Sequence, residues 1–162
     1  MRSQDFEKKV RKEIRVEKKI DFGKKIKISL YNNDSKEFYA AKKVLQSIFQ
    51  NRLELKESSR ISKKTLVPTN LERELSTKLS VFFQNKKLKT KGIPFLNTMP
   101  EEEILIYAKL QGAPKKLLVK DEVSKERYFI EELQKIQRQT KSSLKKSFDY
   151  IAKLQNDKKK KK

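Results

Sequence analysis

Apolar positions along this chain fall into two periods. At residues 4–20, Phe6, Val10 and Ile14 recur every fourth position, which predicts a helix whose other faces are dense in Lys and Arg. Gly23 ends that stretch. Ile26, Ile28 and Leu30 then alternate with Lys27 and Ser29, the pattern of a strand with one buried face. Asn32-Asn33-Asp34-Ser35 is a turn, and Asp34 with Glu37 reads as a capping box opening a helix striped by Phe38, Ala41, Leu45 and Ile48. Residues 51–63 show little periodicity and read as a connector. Leu66-Val67 is a short strand ahead of Pro68. Thr69 and Glu72 form a second capping box before a helix with Leu71, Leu75, Leu79 and Phe82 on one face.

Ile93 to Leu96 is a third extended piece. Thr98, Pro100 and Glu101 then serve as N-cap, early proline and N3 of a helix that carries Ile104 with Tyr107 or Ala108, and Gly112 stops it. Phe129, Leu133 and Ile136 mark a further helix, and Leu144, Phe148, Ile151 and Leu154 mark the last. The reading is a helix-rich α/β chain with about three short strands. It divides into a basic N-terminal helix (1–21), an α/β core (22–112), a C-terminal helical segment (113–156) and a lysine tail (157–162) whose like charges predict disorder.

Charge changes the picture most. The 162 residues include 42 Lys and Arg against 21 Asp and Glu, a formal net charge of +21 with no acidic half to neutralise it. Such a surface attracts polyanions. RNA, DNA and anionic membrane are the candidates, but the apolar faces are narrow and lack an interfacial Trp/Phe pattern, so a membrane-surface role is not expected. No apolar run approaches the roughly 18 residues of a membrane span. The opening MRSQDFEKK lacks the apolar stretch of a signal peptide, so a soluble, cytoplasmic protein is expected. With neither Cys nor His, this sequence excludes disulfides, thiolate zinc sites, iron–sulfur clusters and imidazole acid–base catalysis by its own side chains.

Three segments could carry chemistry. Strand, polar turn and helix at 26–49 is an arrangement that can hold phosphate at a helix N-terminus. The turn Tyr31-Asn32-Asn33-Asp34-Ser35 has no glycine, however, and Asp34 and Glu37 would repel phosphate. Two carboxylates at the start of the 71–82 helix, Glu72 and Glu74, could hold Mg²⁺, yet a capping box accounts for Thr69 and Glu72 without a metal. The stronger candidates are cation clusters that could contact RNA phosphates: Lys8, Lys9, Arg11 and Lys12 near one end, and Lys141, Lys145 and Lys146 near the other.

The order of these pieces resembles the PP-loop ATP pyrophosphatases that thiolate tRNA uridines, of the archaeal and eukaryotic cytosolic type. FEKKVRKEIR at 6–15 is similar to the helix that follows their zinc finger. KIKISLYNNDSKEFYAAKKVL at 25–45 lies where the family has a strand, its SGGKDS loop and a helix. PTNLERELSTKLSVFF at 68–83 is similar to the GHNLDDE segment and its helix. IPFLNTMPEEEILIYAKLQG at 93–112 and TKSSLKKSFDYI at 140–151 resemble the later family segments. The resemblance implies a reduced parallel sheet of the PP-loop, adenine nucleotide alpha hydrolase-like type. It also implies a vestigial nucleotide site at Tyr31, Asn32, Asn33, Asp34, Ser35, Asn70 and Glu74.

The departures imply loss of catalysis. Tyr31, Asn32 and Asn33 stand in place of Ser-Gly-Gly, Thr69 in place of His, and Glu72 and Arg73 in place of the acidic pair; the family's cysteines are absent. Neither ATP nor Mg²⁺ is then expected as a cofactor. A central block that supplies two edge strands in the family is also missing, so the first strand's edge would lie open and need a protein partner, a second copy or a cover. The expected function is non-catalytic RNA binding, to tRNA or rRNA. The alternatives are a basic partner subunit, of a ribonucleoprotein such as the ribosome or of a catalytic homologue, and a residual ATP-dependent tRNA sulfurtransferase.

Overall fold

The computed structural model describes residues 2–20, 25–84, 86, 91–136 and 139–160, without the side chains of Ile136 and of residues 152–160. Gly23, Lys161 and Lys162 lie outside the described residues, as do the side chains of Ile136 and Leu154.

The alternation at 26–31 becomes strand β1 (Ile26–Tyr31), with Ile26, Ile28 and Leu30 buried and Lys27 outward. Helix α2 (Lys36–Phe49) follows and buries Phe38, Ala41, Val44, Leu45 and Phe49. After a 3-10 turn at Gln50–Arg52 the chain enters β2 (Leu53–Ser58), which pairs parallel with β1 from Ile26↔Leu53 to Tyr31↔Ser58. β3 (Thr65–Pro68) pairs parallel with β1 on its other side, and β4 (Ile93–Phe95) with β3. The sheet is four-stranded and wholly parallel, in the order β2-β1-β3-β4. Pro94 is tolerated because β4 is an edge strand, where a missing N–H costs no ladder bond on the open side.

This corrects the expected three strands and the expected connector at 51–63. Leu53 and Leu55 alternate with Glu54 and Lys56, but only those two leucines are apolar, so the period is too brief to stand out. Charge pairing holds the strand as well. Lys27 meets its register partner Glu54 at 3.6 Å, and Glu57 accepts from Lys42 at 2.7 Å and from Asn32 at 3.1 Å. The Lys42 contact holds the Glu57 carboxyl below the usual carboxylate range. The open edge expected on β1 is therefore covered by the chain's own β2.

Helix α1 (Ser3–Glu17) is part of the sheet unit. Its Phe6, Val10 and Ile14 belong to the same buried cluster as Ile26, Leu30, Leu45 and Ile104. Phe6 stacks on Tyr107 of α4 (Glu101–Leu110) with ring centroids 4.3 Å apart. Burial, together with the nearby Glu7 charge, pushes the Tyr107 phenol up to about 12.

The chain forms two compact units. The first comprises residues 1–71 and 89–121 and holds the sheet, α1, α2 and α4; the second comprises 72–88 and 122–162. Helices α3 (Leu71–Phe83), α5 (Lys125–Ile136) and α6 (Thr140–Lys160) supply the second unit, in which Leu75, Leu79 and Ile130 are buried. α6 continues to Lys160. Lysine is a good helix former, adding residues to an existing helix is easy, and cations suit a helix C-terminus. Among the described residues no helix is long and apolar enough to cross a membrane.

Candidate functional site

In parallel α/β sheets ligands bind beyond the carboxyl ends of the strands, where helix N-termini converge. Here that place is bounded by the turn after β1, by Thr69 and Asn70 after β3, and by the start of α4. The turn is tightly self-bonded. Asn32 Oδ1 accepts from the Asp34 N–H at 3.0 Å, Asp34 takes a left-handed φ of 51°, and the Ser35 hydroxyl donates to Asn33 Oδ1 at 2.7 Å. Ser35, not Asp34, is the N-cap of α2, its Oγ accepting from the Phe38 N–H at 3.1 Å. An Asp in the left-handed region cannot hold the extended cap conformation, which passes to the next residue.

Glu37, expected in the capping box, is fully buried and accepts from Asn70 Nδ2 at 2.7 Å. Beside it Lys36, the first residue of α2, is the centre of an ion network that the sequence reading missed. Its ammonium donates to Asp121 Oδ1 at 2.6 Å and to the Val119 carbonyl at 2.8 Å, and lies 2.7 Å from Glu101 Oε1. Glu101 Oε1 also accepts from the Asp121 N–H at 2.6 Å, and Asn70 Nδ2 reaches Asp121 Oδ2 at 3.3 Å. Desolvation alone would lower the Lys36 pKa. The hydrogen bonds to Asp121 and Glu101, with the Glu37 charge, outweigh it and raise the pKa above 10.5. Glu37, Glu101 and Asp121 thus bring carboxylates to the mouth of α2. A polyphosphate placed there meets carboxylates instead of free N–H groups.

The other expected caps are also displaced. Thr69 donates its N–H to the Phe95 carbonyl, and α3 opens at Leu71, which puts Asn70 immediately before the helix. Glu72 accepts instead from Lys141 at 2.6 Å, and Glu74 pairs with Lys78 at 3.2 Å, both in the second unit. Of the vestigial set, Asn70 joins the Lys36 network in the first unit, and Glu74 pairs with Lys78 within the second. Thr98 is not the cap of α4 either, since Pro100 occupies that position. The Thr98 hydroxyl donates to the buried Glu13, which also accepts from Lys19 at 2.6 Å and from the Leu96 N–H at 2.9 Å. A carboxylate one residue before Ile14, on the inward face of α1, was the available signal for that second network. Among the described residues no group of three or more His, Cys, Asp or Glu side chains is placed to hold a metal ion.

The cation clusters fare unequally. Lys8, Lys9, Arg11 and Lys12 are all exposed, on the side of α1 opposite Phe6, Val10 and Ile14, and Arg15 completes the face. Lys9 reaches Glu103 at 2.6 Å but keeps half its side chain in solvent, an arrangement of little energetic weight. Lys9 and Lys12 also border a cleft of about 450 Å³ whose walls include Val16, Met99 and Pro100. On α6, Lys141 pairs with Glu72 at 2.6 Å and keeps only 19% of its side chain exposed. Lys145 is half-buried and Lys146 exposed. The α1 and α6 clusters belong to different units.

No protein-family model, curated protein or solved structure matches this chain.

Proposed function

We propose that this protein is a non-catalytic RNA-binding protein of the cytoplasm, directed to tRNA or an RNA like it, and built on a reduced PP-loop-like sheet. One observation carries the reading. The strand-end position suited to phosphate is filled by the chain's own Lys36–Glu101–Asp121 network, while the basic face of α1 stands open to solvent. A catalytic reading needs a free helix N-terminus at α2, and there Ser35 caps the helix with Glu37 and Asp121 close by. Pairing with a catalytic homologue through an open β1 edge loses its motive, since β2 covers that edge, while docking on a ribonucleoprotein through charge keeps its own.

The test is tRNA binding by fluorescence anisotropy across a salt series. Log affinity falls linearly with log salt, with a slope of about −0.7 to −0.9 per phosphate contacted. The triple substitution Lys8→Ala, Arg11→Ala and Lys12→Ala reduces that slope by about 2 to 3. Lys141→Ala leaves it unchanged, because Lys141 already has a partner. Affinity indifferent to salt sinks the proposal. Saturable Mg-ATP binding in a calorimetric titration restores the enzyme reading.

A further inference from the structure

The second unit carries a row of phenylalanines that no single stretch of sequence displays. Phe129 of α5 meets Phe83 of α3 edge-on at 6.4 Å, Phe83 neighbours Phe82 at 6.2 Å, and Phe82 meets Phe148 of α6 at 6.3 Å. Rings in such contact ordinarily form a core, yet Phe82 is 58% and Phe83 62% exposed. Tyr128 and Tyr150 add exposed rings on the helices that flank them. A contiguous aromatic surface left in water marks an interaction site.

Charge identifies the occupant. Lys125 stands one helical turn before Phe129, Lys146 one turn before Tyr150, and Lys86 three residues beyond Phe83, and all three lysines are exposed. A second copy would bring like charges together on a chain of net charge +21. A polyanion with flat apolar faces suits both features. We propose that this row is a stacking platform for unpaired bases of single-stranded RNA, the flanking lysines holding the phosphates. The proposal rests on the RNA reading above and sharpens it, because cations alone do not distinguish single strands from duplex whereas exposed rings do.

The experiment uses the full chain with a single-stranded RNA of about 12 nucleotides containing 2-aminopurine, a length within the range of known platforms, and with a duplex of the same length. Wild type quenches 2-aminopurine fluorescence. The double variant Phe82→Leu, Phe83→Leu keeps apolar bulk at two largely exposed positions but removes the rings. It weakens single-strand binding about fivefold to a hundredfold and leaves duplex binding unchanged. Phe83→Trp retains binding and quenching, which mere apolar contact does not require. Equal loss on both RNAs overturns the platform, as does no loss on either. A wild-type dimer that becomes monomeric in the double variant overturns it too, by giving the face to a second copy. Absence of binding to any RNA overturns the general RNA reading with it, a result distinguishable from salt-steep binding that ignores the rings.

Discussion

Lys36→Met tests whether the network at the mouth of α2 is structural. The substitution keeps the aliphatic stem and removes the ammonium, which leaves Glu101 and Asp121 facing each other without their shared cation. Lys36 and Glu101 are 5% and 1% exposed at the side chain, so their charges are poorly screened, whereas Asp121 at 26% retains some water. Removing one partner of a buried pair costs about 3–5 kcal/mol. The partial exposure of Asp121 points to the lower half of that range. For a chain of this size each kcal/mol lowers the melting temperature by about 2–4 °C, so a drop of about 6–15 °C is expected by circular dichroism or scanning calorimetry.

The pH dependence has a definite sign. The folded-state pKa of Lys36 is raised above 10.5. Its contribution is therefore fully present below that value and is lost as pH rises through the folded pKa. The gap between wild type and variant should be level near neutrality and narrow only in strong alkali. Adding Glu101→Gln to Lys36→Met returns part of the loss, since it removes one of the two carboxylate charges that Lys36 bridged. A melting shift under about 3 °C, or a gap that widens in alkali, would refute the account and reopen the mouth of α2 as a ligand site.

Two further outcomes follow from the same reasoning. Glu13→Ala takes the buried partner from the ammonium of Lys19, whose side chain is 3% exposed, leaves it only Asn97 and the part-exposed Glu17, and frees the Leu96 N–H; it should cost about 3 kcal/mol in urea unfolding, the low end for breaking a buried pair and more than any exposed α1 substitution. Gly92→Ala and Gly112→Ala form a matched pair, with φ of 80° and 77°. A Cβ on Gly92 would lie 2.6 Å from Val67 Cγ2 and 2.8 Å from the Thr65 carbonyl oxygen, whereas one on Gly112 meets nothing within 4 Å. Gly112→Ala should cost about 1 kcal/mol of backbone strain, while Gly92→Ala should cost at least twice that and speed amide exchange across the β3–β4 pairing.

What could be read from the sequence, and what could not, divides along the range of the forces involved. Ile26, Ile28 and Leu30 announce β1 because their partners in the pattern lie two residues away. β2 escapes because Leu53 and Leu55 alone carry its period, and the cations that steady it, Lys27 and Lys42, come from other elements. The caps fail for the same reason: Thr98 looks like an N-cap until Glu13, 85 residues earlier, takes its hydroxyl. The basic face of α1 was legible because it is a rotation about one helix axis, whereas the row from Phe129 to Phe148 needs three helices in place. Counting lysines therefore overstates what a polyanion can reach. Lys19, Lys36 and Lys141 look like surface cations in the sequence, and folding commits each to a carboxylate. Under the RNA-binding proposal, the surface on offer is the charge left over after intramolecular pairing. One such face lies on α1, where Glu13 turns inward while Lys8, Arg11, Lys12 and Arg15 turn out.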